Sequence, residues 1–104
     1  MKRDNIVSTA SITIKKIAPF ANIILYGSEA RGEARPDSDI DLLILIPNQY
    51  KNEYNNLRAA IADKLFEIEL ETSVLISPLV LLQEMWENKI TPFTLNVKKD
   101  GIAL

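Results

Sequence analysis

The 104-residue sequence contains no cysteine and no histidine. The absence of cysteine excludes a disulfide framework and a thiolate zinc site, and the absence of histidine excludes the commonest general base and any histidine-ligated metal. Acid–base chemistry would therefore depend on carboxylates or on hydroxyls activated by a metal. No apolar run reaches the roughly 18 residues that a membrane-spanning helix needs, and the N-terminus lacks the apolar core of a signal peptide. We expect a cytoplasmic protein without a membrane segment.

Excess charge of either sign is also lacking. Twelve lysines and arginines stand against 14 aspartates and glutamates, which gives a net charge of −2, and they are spread along the chain. This distribution produces no basic face, so we expect no direct DNA binding. The chain has no internal repeat, linker or low-complexity segment. With 47 % hydrophobic residues, its length suits one small domain with a modest core, which we predict to span residues 1–104.

Two aspartates, Asp39 and Asp41, stand at the start of a short apolar run. Apolar runs flanked by Gly, Pro, Asn or Asp are typical of buried strands, which predicts strands at Asn22–Tyr26 and Ser38–Ile46. Residues two apart on a strand share a face, so Asp39 and Asp41 point the same way, with Cβ atoms about 7 Å apart. Two carboxylates on one face repel each other unless a cation lies between them, and Mg²⁺ prefers such oxygen ligands. The pair is therefore a candidate metal site.

The first of these apolar runs leads directly into Gly27 and Ser28. Glycine allows the backbone to turn and a second group to approach closely. Ser28 offers a hydroxyl and a backbone N–H at the predicted start of a short helix, residues 28–31, and a helix start favours phosphate. We expect the two apolar runs to form neighbouring strands. Phosphate donors and metal-binding carboxylates would then meet, which predicts a site for a metal–nucleoside triphosphate.

The rest of the chain is predicted to be scaffold around these strands. Apolar residues at helical spacing indicate amphipathic helices, the longer of which would cover one face of the sheet. Pro78 indicates that the third strand lies on an edge or contains a bulge. The remaining predicted elements are helices at Asn5–Ala18, Tyr50–Leu70, Leu82–Asn88 and Phe93–Lys99, and a strand at Thr72–Val80. We therefore expect an α/β (α+β) domain with a small mixed sheet of three to four strands and helices packed on it.

Several short motifs occur in a characteristic order: Gly27-Ser28, Ala30-Arg31-Gly32 and Ser38-Asp39-Ile40-Asp41-Leu42. They are similar to the signature of the DNA polymerase β-like nucleotidyltransferase superfamily, and the chain most closely resembles its minimal nucleotidyltransferase (MNT) domains. The resemblance is dense over Tyr26–Leu45 and weaker elsewhere. It implies a nucleotidyltransferase fold in which Gly27 and Ser28 hold the triphosphate and Asp39 and Asp41 hold Mg²⁺, with two ions in all. It also implies transfer of a nucleoside monophosphate, AMP from Mg–ATP, to a hydroxyl.

Two arginines flank the expected phosphate site. The resemblance implies a structural role for Arg31. Arg35 is placed to reach the triphosphate, although a solvated charge is the simpler interpretation of either residue.

Active members of the superfamily carry a third Asp or Glu on the strand beside the paired aspartates. The resemblance places that position near Ser77, and serine is a poor metal ligand. Two interpretations stay open. Either Glu71, which would share a strand face with Ser77, or less readily Glu69, which the pattern places on the preceding helix, supplies the third catalytic carboxylate, or the third acid is absent. In the second case the domain binds Mg–nucleotide but transfers poorly. For Glu71 itself, a solvated charge at the end of the helix is the simpler interpretation.

The resemblance also implies a partner. MNT domains lack the second domain that holds the acceptor in larger relatives such as aminoglycoside adenylyltransferases. They often act with a helical HEPN protein, as the antitoxin of a toxin–antitoxin pair, and a tyrosine of that partner can be the acceptor. The alternatives are a non-catalytic nucleotide-binding or interaction module and one subunit of a split small-molecule nucleotidyltransferase. A homodimer is also compatible with so small a domain.

Overall fold

A computed structural model describes residues 2–104, which form one four-stranded sheet with helices on both faces. The helices are α1 (Arg3–Ile17), α2 (Gly27–Ala30), α3 (Tyr54–Thr72), α4 (Gln83–Glu87) and α5 (Pro92–Asp100), with a 3₁₀ helix at Asn48–Glu53 before α3. The strands are β1 (Asn22–Tyr26), β2 (Ile40–Ile46), β3 (Ile76–Leu82) and β4 (Ile102–Ala103). Within residues 2–104, no helix is both long and apolar enough to cross a lipid bilayer.

The sheet has the strand order β3-β2-β1-β4 and mixed direction. β1 pairs antiparallel with both β2 and β4, whereas β2 and β3 run parallel. Parallel neighbours need a crossover connection, and the segment that contains α3 provides it. The predicted mixed α/β fold is therefore confirmed, and so is the expectation that the first two apolar runs form neighbouring strands.

β2 is apolar on both faces because each face is covered by helices. One face packs against α1 and α3 and forms the larger core, to which β2 contributes Ile40, Leu42, Ile44 and Ile46. The other face packs against α4 and α5, where Leu43 and Leu45 meet Trp86 and Val97. The strict alternation along the strand places Asp41 on this second face. The carboxylate therefore stands where an apolar residue would otherwise continue the smaller core.

The predicted start of the third strand was wrong. α3 runs on to Thr72, Ser73 ends it in the left-handed conformation at φ 59°, and β3 begins only at Ile76. The hydroxyl of Thr72 donates a hydrogen bond of 2.7 Å to the carbonyl of Ile68 one turn earlier. A β-branched residue that indicates a strand by composition is thus held in the helix by local hydrogen bonds. As a consequence Glu71 lies exposed on the last turn of α3 and does not share a strand face with Ser77.

Other bounds differ by smaller amounts. α1 begins at Arg3 and β2 at Ile40, so Asp39 directly precedes the strand that was predicted to contain it. β4 was not predicted, because its two residues carry no periodic signal. Their pairing with Ile24 and Leu25 of β1 adds the fourth strand of the sheet.

The free edge of β3 is closed by side chains. Ile76 donates its backbone N–H to Glu69 Oε1 at 2.7 Å, and the hydroxyl of Tyr54 donates to the carbonyl of Val80 at 2.5 Å. Pro78, between them, has no N–H to offer. The predicted edge position of this strand is confirmed. Covered or proline-blocked edges discourage pairing with a further strand.

Removing the hydroxyl that caps Val80 tests the contribution of this closed edge. We expect Tyr54→Phe to lower the free energy of unfolding by about 1 kcal/mol, because a half-buried carbonyl loses its donor. Urea denaturation of both proteins would measure the difference. The control is Tyr50→Phe, which keeps the ring stacked on Phe20 at a centroid distance of 3.6 Å. Equal stabilities for the two variants would contradict a role for the Tyr54 hydroxyl.

Candidate active site

Three polar side chains stand in one row across the sheet. The strand register pairs Tyr26 of β1 with Asp41 of β2 and pairs Asp41 in turn with Ser77 of β3. Paired residues on neighbouring strands share a face, so all three belong to the face that α4 and α5 partly cover. Asp41 is half-buried in the middle of this row. The central carboxylate therefore has a phenol on one side and a serine hydroxyl on the other.

The turn at Gly27 touches the Asp41 carboxylate. Gly27 has φ +74°, and a Cβ atom on it would overlap Asp41 Oδ2. Glycine is needed for both reasons, since it adopts positive φ without strain and leaves room for the approaching oxygen. Ser28 follows at once, half-buried in the first turn of α2. The fold thus brings Gly27, Ser28 and Asp41 together, as the sequence pattern predicts.

Asp39 completes a pair of carboxylates at the start of β2. Its Oδ2 accepts a hydrogen bond of 3.3 Å from the hydroxyl of Ser77, while the carboxylate remains exposed to solvent. The next residue, Ile40, donates its N–H to the carbonyl of Leu75 at 2.9 Å, which fixes the backbone beside Asp39. Ser77 therefore contacts one aspartate through its hydroxyl and pairs with the other through the sheet.

The surroundings of Asp41 disfavour the ionised form of its carboxylate when no cation is bound. Burial raises the pKa of Asp41 above its ordinary value, the negative charge of Asp39 raises this pKa further, and the guanidinium of Arg31 lowers it. Burial also raises the pKa of the Tyr26 phenol, with an added contribution from the Asp41 charge. A cation between Asp39 and Asp41 would relieve the repulsion that raises the Asp41 pKa. The donors of the pair are carboxylate oxygens, which fit a hard divalent cation such as Mg²⁺.

The third acid that the sequence left open does not join this pair. Glu71 is on α3, and Glu69 uses its carboxylate to hold the start of β3. Residues 2–104 contain no group of three or more histidine, cysteine, aspartate or glutamate side chains placed to hold a metal ion. The expectation that Glu71 belongs to the catalytic cluster is therefore corrected. Sequence reasoning placed the position near Ser77, and the register confirms that Ser77 lies beside Asp41.

The two arginines near the site differ in their surroundings. Arg31 forms an exposed ion pair with Glu33, Nε to Oε2 3.1 Å, and lines a cleft of about 190 Å³ beside Gly27. This cleft is smaller than the roughly 300–1,000 Å³ of pockets that enclose a drug-sized ligand. Arg35 is exposed in the loop before Asp39, where its backbone N–H donates to Ser38 Oγ at 2.9 Å. Contact of Arg35 with a triphosphate stays a prediction.

One residue near the site, Arg3, was not predicted from the sequence. Arg3 at the start of α1 forms an ion pair with Glu29 of α2, with 2.6 Å between Nε and Oε1. Its guanidinium also donates to the carbonyls of Pro36 and Ser38. The partners lie 26 to 35 residues away in the sequence, and no local pattern indicates so distant a contact.

The likeness of the chain to known proteins agrees with this arrangement. A family model described as nucleotidyltransferase domain matches residues 11–100. A search of the curated proteins found no match.

Solved structures of similar fold point the same way. A candidate nucleotidyltransferase is 22 % identical, with 78 % of this chain and 83 % of that chain covered and a TM-score of 0.55. A toxin–antitoxin structure with AMP-PNP is 19 % identical over 98 % of this chain and 72 % of that chain, with a TM-score of 0.59. A candidate nucleotidyltransferase from Sulfolobus solfataricus is 17 % identical over 98 % and 87 %, with a TM-score of 0.50. At these identities the likeness shows the fold.

The raised pKa of Asp41 predicts how pH affects stability. The folded state holds the Asp41 proton more tightly than the unfolded state, so ionisation of Asp41 costs stability as the pH rises from the ordinary value of 3.8 through the raised pKa. We expect Asp41→Asn, in EDTA at pH 7, to melt at a higher temperature than wild type. The difference should vanish below about pH 3.8.

Thermal melts at several pH values would check this result, and Asp37→Asn in the exposed loop is the control. Millimolar Mg²⁺ should stabilise wild type and leave Asp41→Asn unchanged. If Asp41→Asn melted at a lower temperature than wild type in EDTA at pH 7, ionisation of Asp41 would not be destabilising the folded protein.

Proposed function

Because the chain belongs to the nucleotidyltransferase domain family, we propose that it binds a Mg²⁺–nucleoside triphosphate and transfers the nucleoside monophosphate, AMP from ATP, to a hydroxyl. The observation that carries this proposal is the contact between the Asp41 carboxylate and the Gly27 turn. It brings a metal ligand against a phosphate-binding backbone. A triphosphate and its cation could then occupy one continuous surface.

Four residues have a role in this proposal. Asp39 and Asp41 hold Mg²⁺, two ions as the family resemblance implies, and Gly27 and Ser28 hold the β- and γ-phosphates through backbone N–H groups and the Ser28 hydroxyl. When bound, Mg²⁺ would neutralise charge on the phosphoryl oxygens. Asp41 stays held against Gly27, so the phosphate donors and the metal ligands need not move during the reaction.

The proposed reaction balances without a cofactor beyond the cation. The oxygen of the acceptor hydroxyl forms a bond to the α-phosphorus, the bond from that phosphorus to the β-phosphate oxygen breaks, and pyrophosphate leaves. The acceptor proton leaves to solvent water, because this chain has no histidine and both carboxylates of the pair are assigned to the cation.

A label-transfer assay with α-labelled ATP and Mg²⁺ tests the activity. We expect Asp39→Ala/Asp41→Ala to lower transfer by about 10²-fold or more, since both groups that hold positive charge at the phosphates are removed. The matched control is Asp37→Ala, which removes an exposed carboxylate from the preceding loop. Transfer by the double variant at the wild-type rate would refute the assignment of the two aspartates.

For the acceptor we propose a hydroxyl of a partner protein, and for the partner a helical HEPN-type protein in a toxin–antitoxin pair. The toxin–antitoxin structure of similar fold supports this idea, and its AMP-PNP supports an ATP-like substrate. The label-transfer assay is therefore run with and without the product of the adjacent gene. Label on that product, absent with the double variant, is the expected result.

A second candidate function is a nucleotide-binding module that transfers poorly. Ser77 favours it, because a hydroxyl occupies the strand position beside Asp41 where the family resemblance implies an acid. In this case Mg–ATP would raise the melting temperature of wild type, and the label would reach neither chain.

Replacing Ser77 separates the two functions. If the missing acid limits transfer, Ser77→Asp should raise the rate of label transfer by about tenfold or more, the scale on which metal-site partners act. Ser77→Ala, the control, removes the hydrogen bond to Asp39 and should leave binding of Mg–ATP nearly unchanged. Faster transfer by Ser77→Asp would show that the wild-type site lacks a ligand. An unchanged rate, with Mg–ATP still bound, would show that it does not.

A further inference from the structure

We propose that Arg3 is a positioning residue that holds the α2 turn and the segment before Asp39 at a fixed separation. These two segments carry the phosphate-binding and the metal-binding halves of the site. Where the inference concerns nucleotide affinity it rests on the proposed function. Where it concerns the order of the two segments it rests on the contacts alone.

The guanidinium of Arg3 joins three chain segments. Nε donates to Glu29 Oε1 at 2.6 Å, which anchors α1 to the helix that begins with Gly27 and Ser28. The two terminal nitrogens donate to the carbonyls of Pro36 at 3.2 Å and Ser38 at 2.6 Å. One rigid planar group therefore connects α2 with the end of the loop that leads to Asp39.

Asp39 is fixed from both sides as a result. On one side the carbonyl of Ser38 is held by Arg3, and on the other the N–H of Ile40 is held by the carbonyl of Leu75. Ser38 is itself closed onto Arg35 by two hydrogen bonds of 2.9 Å, N–H to carbonyl and backbone N–H to hydroxyl. Without Arg3, the turn at residues 35–38 would remain closed but would lose its attachment to α1 and α2.

Burial distinguishes this ion pair from the others in the structure. The side chains of Arg3 and Glu29 are 20 % and 12 % exposed, whereas those of the Lys64–Glu67 pair are 56 % and 62 % exposed. Exposed pairs contribute little, because water and salt screen them. Loss of a partly buried guanidinium that donates to three acceptors costs more, and a lysine cannot reproduce its planar fork of donors.

The consequence for the site is geometric. Ser28 immediately precedes Glu29, and Asp39 immediately follows Ser38. Loss of the guanidinium would let the α2 turn and the Asp39 carboxylate move independently. Groups that orient metal ligands without touching the metal typically contribute 10- to 100-fold to metal affinity or activity. We expect a loss on this scale in the affinity for Mg–nucleotide.

The test compares Arg3→Ala and Arg3→Lys with wild type and with Lys64→Ala, which breaks the exposed ion pair on α3. Amide hydrogen exchange of the free proteins reports the order of residues 33–40. Calorimetric titration with AMP-PNP and Mg²⁺ reports the affinity. Exchange across residues 61–68 of α3 shows whether the variants remain folded.

We expect both Arg3 variants to exchange residues 33–40 at least about tenfold faster than wild type while residues 61–68 stay protected. Their Kd for Mg–AMP-PNP should rise about 10- to 100-fold, and Lys64→Ala should match wild type in both measurements. Unchanged exchange, or faster exchange with an unchanged Kd, would overturn the positioning role. If wild type itself binds no nucleotide, the proposed function fails, while the exchange result still decides whether Arg3 holds the loop.

Discussion

The contact between the Asp41 carboxylate and the Gly27 backbone is the constraint on which the site depends. It requires a glycine at positive φ at the end of β1 and a carboxylate on β2 directly opposite Tyr26. The antiparallel register of these two strands meets both requirements. β2 is buried on both faces, and a slip of one residue would turn the Asp41 carboxylate into the larger core, which disfavours any other register. Packing of β2 between the two cores thus offsets the free-energy cost of keeping the Asp41 carboxylate half-buried.

The two cores have different tasks. The larger one, between the sheet and α1 with α3, contains most of the buried aliphatic side chains and stabilises the domain. The smaller one, between the sheet and α4 with α5, ends where Phe93 packs edge-to-face on Tyr26 at a centroid distance of 5.5 Å. The polar row begins at this point. The candidate site therefore lies at the border of a core, where side chains are ordered by packing yet remain partly exposed to solvent.

Much of this arrangement could be predicted from the sequence, because the patterns that specify it lie within short stretches of the chain. The apolar runs determine β1 and β2, and the spacing of Asp39 and Asp41 determines that both carboxylates face one way. For Glu71 the sequence left open both a strand-face acid and a solvated charge at the helix end, because Thr72 and Val74 favour a strand by composition while the helix continues to Thr72 by its own hydrogen bonds. The role of Arg3 could not be predicted. Its contacts depend on how α1 docks across the end of the sheet, and nothing in the neighbouring residues encodes that packing.

The capped edge of β3 limits the ways in which another protein can recognise this domain. Recognition through main-chain hydrogen bonds to an open strand is tolerant of sequence, since every peptide offers the same donors and acceptors. Tyr54, Pro78 and Glu69 remove that option on one side of the sheet, and the other side ends in the two-residue β4. A protein that binds at the β3 edge would therefore have to contact side chains, since main-chain pairing is blocked there. Two copies of the domain at high concentration are likewise kept from exchanging strands through this edge.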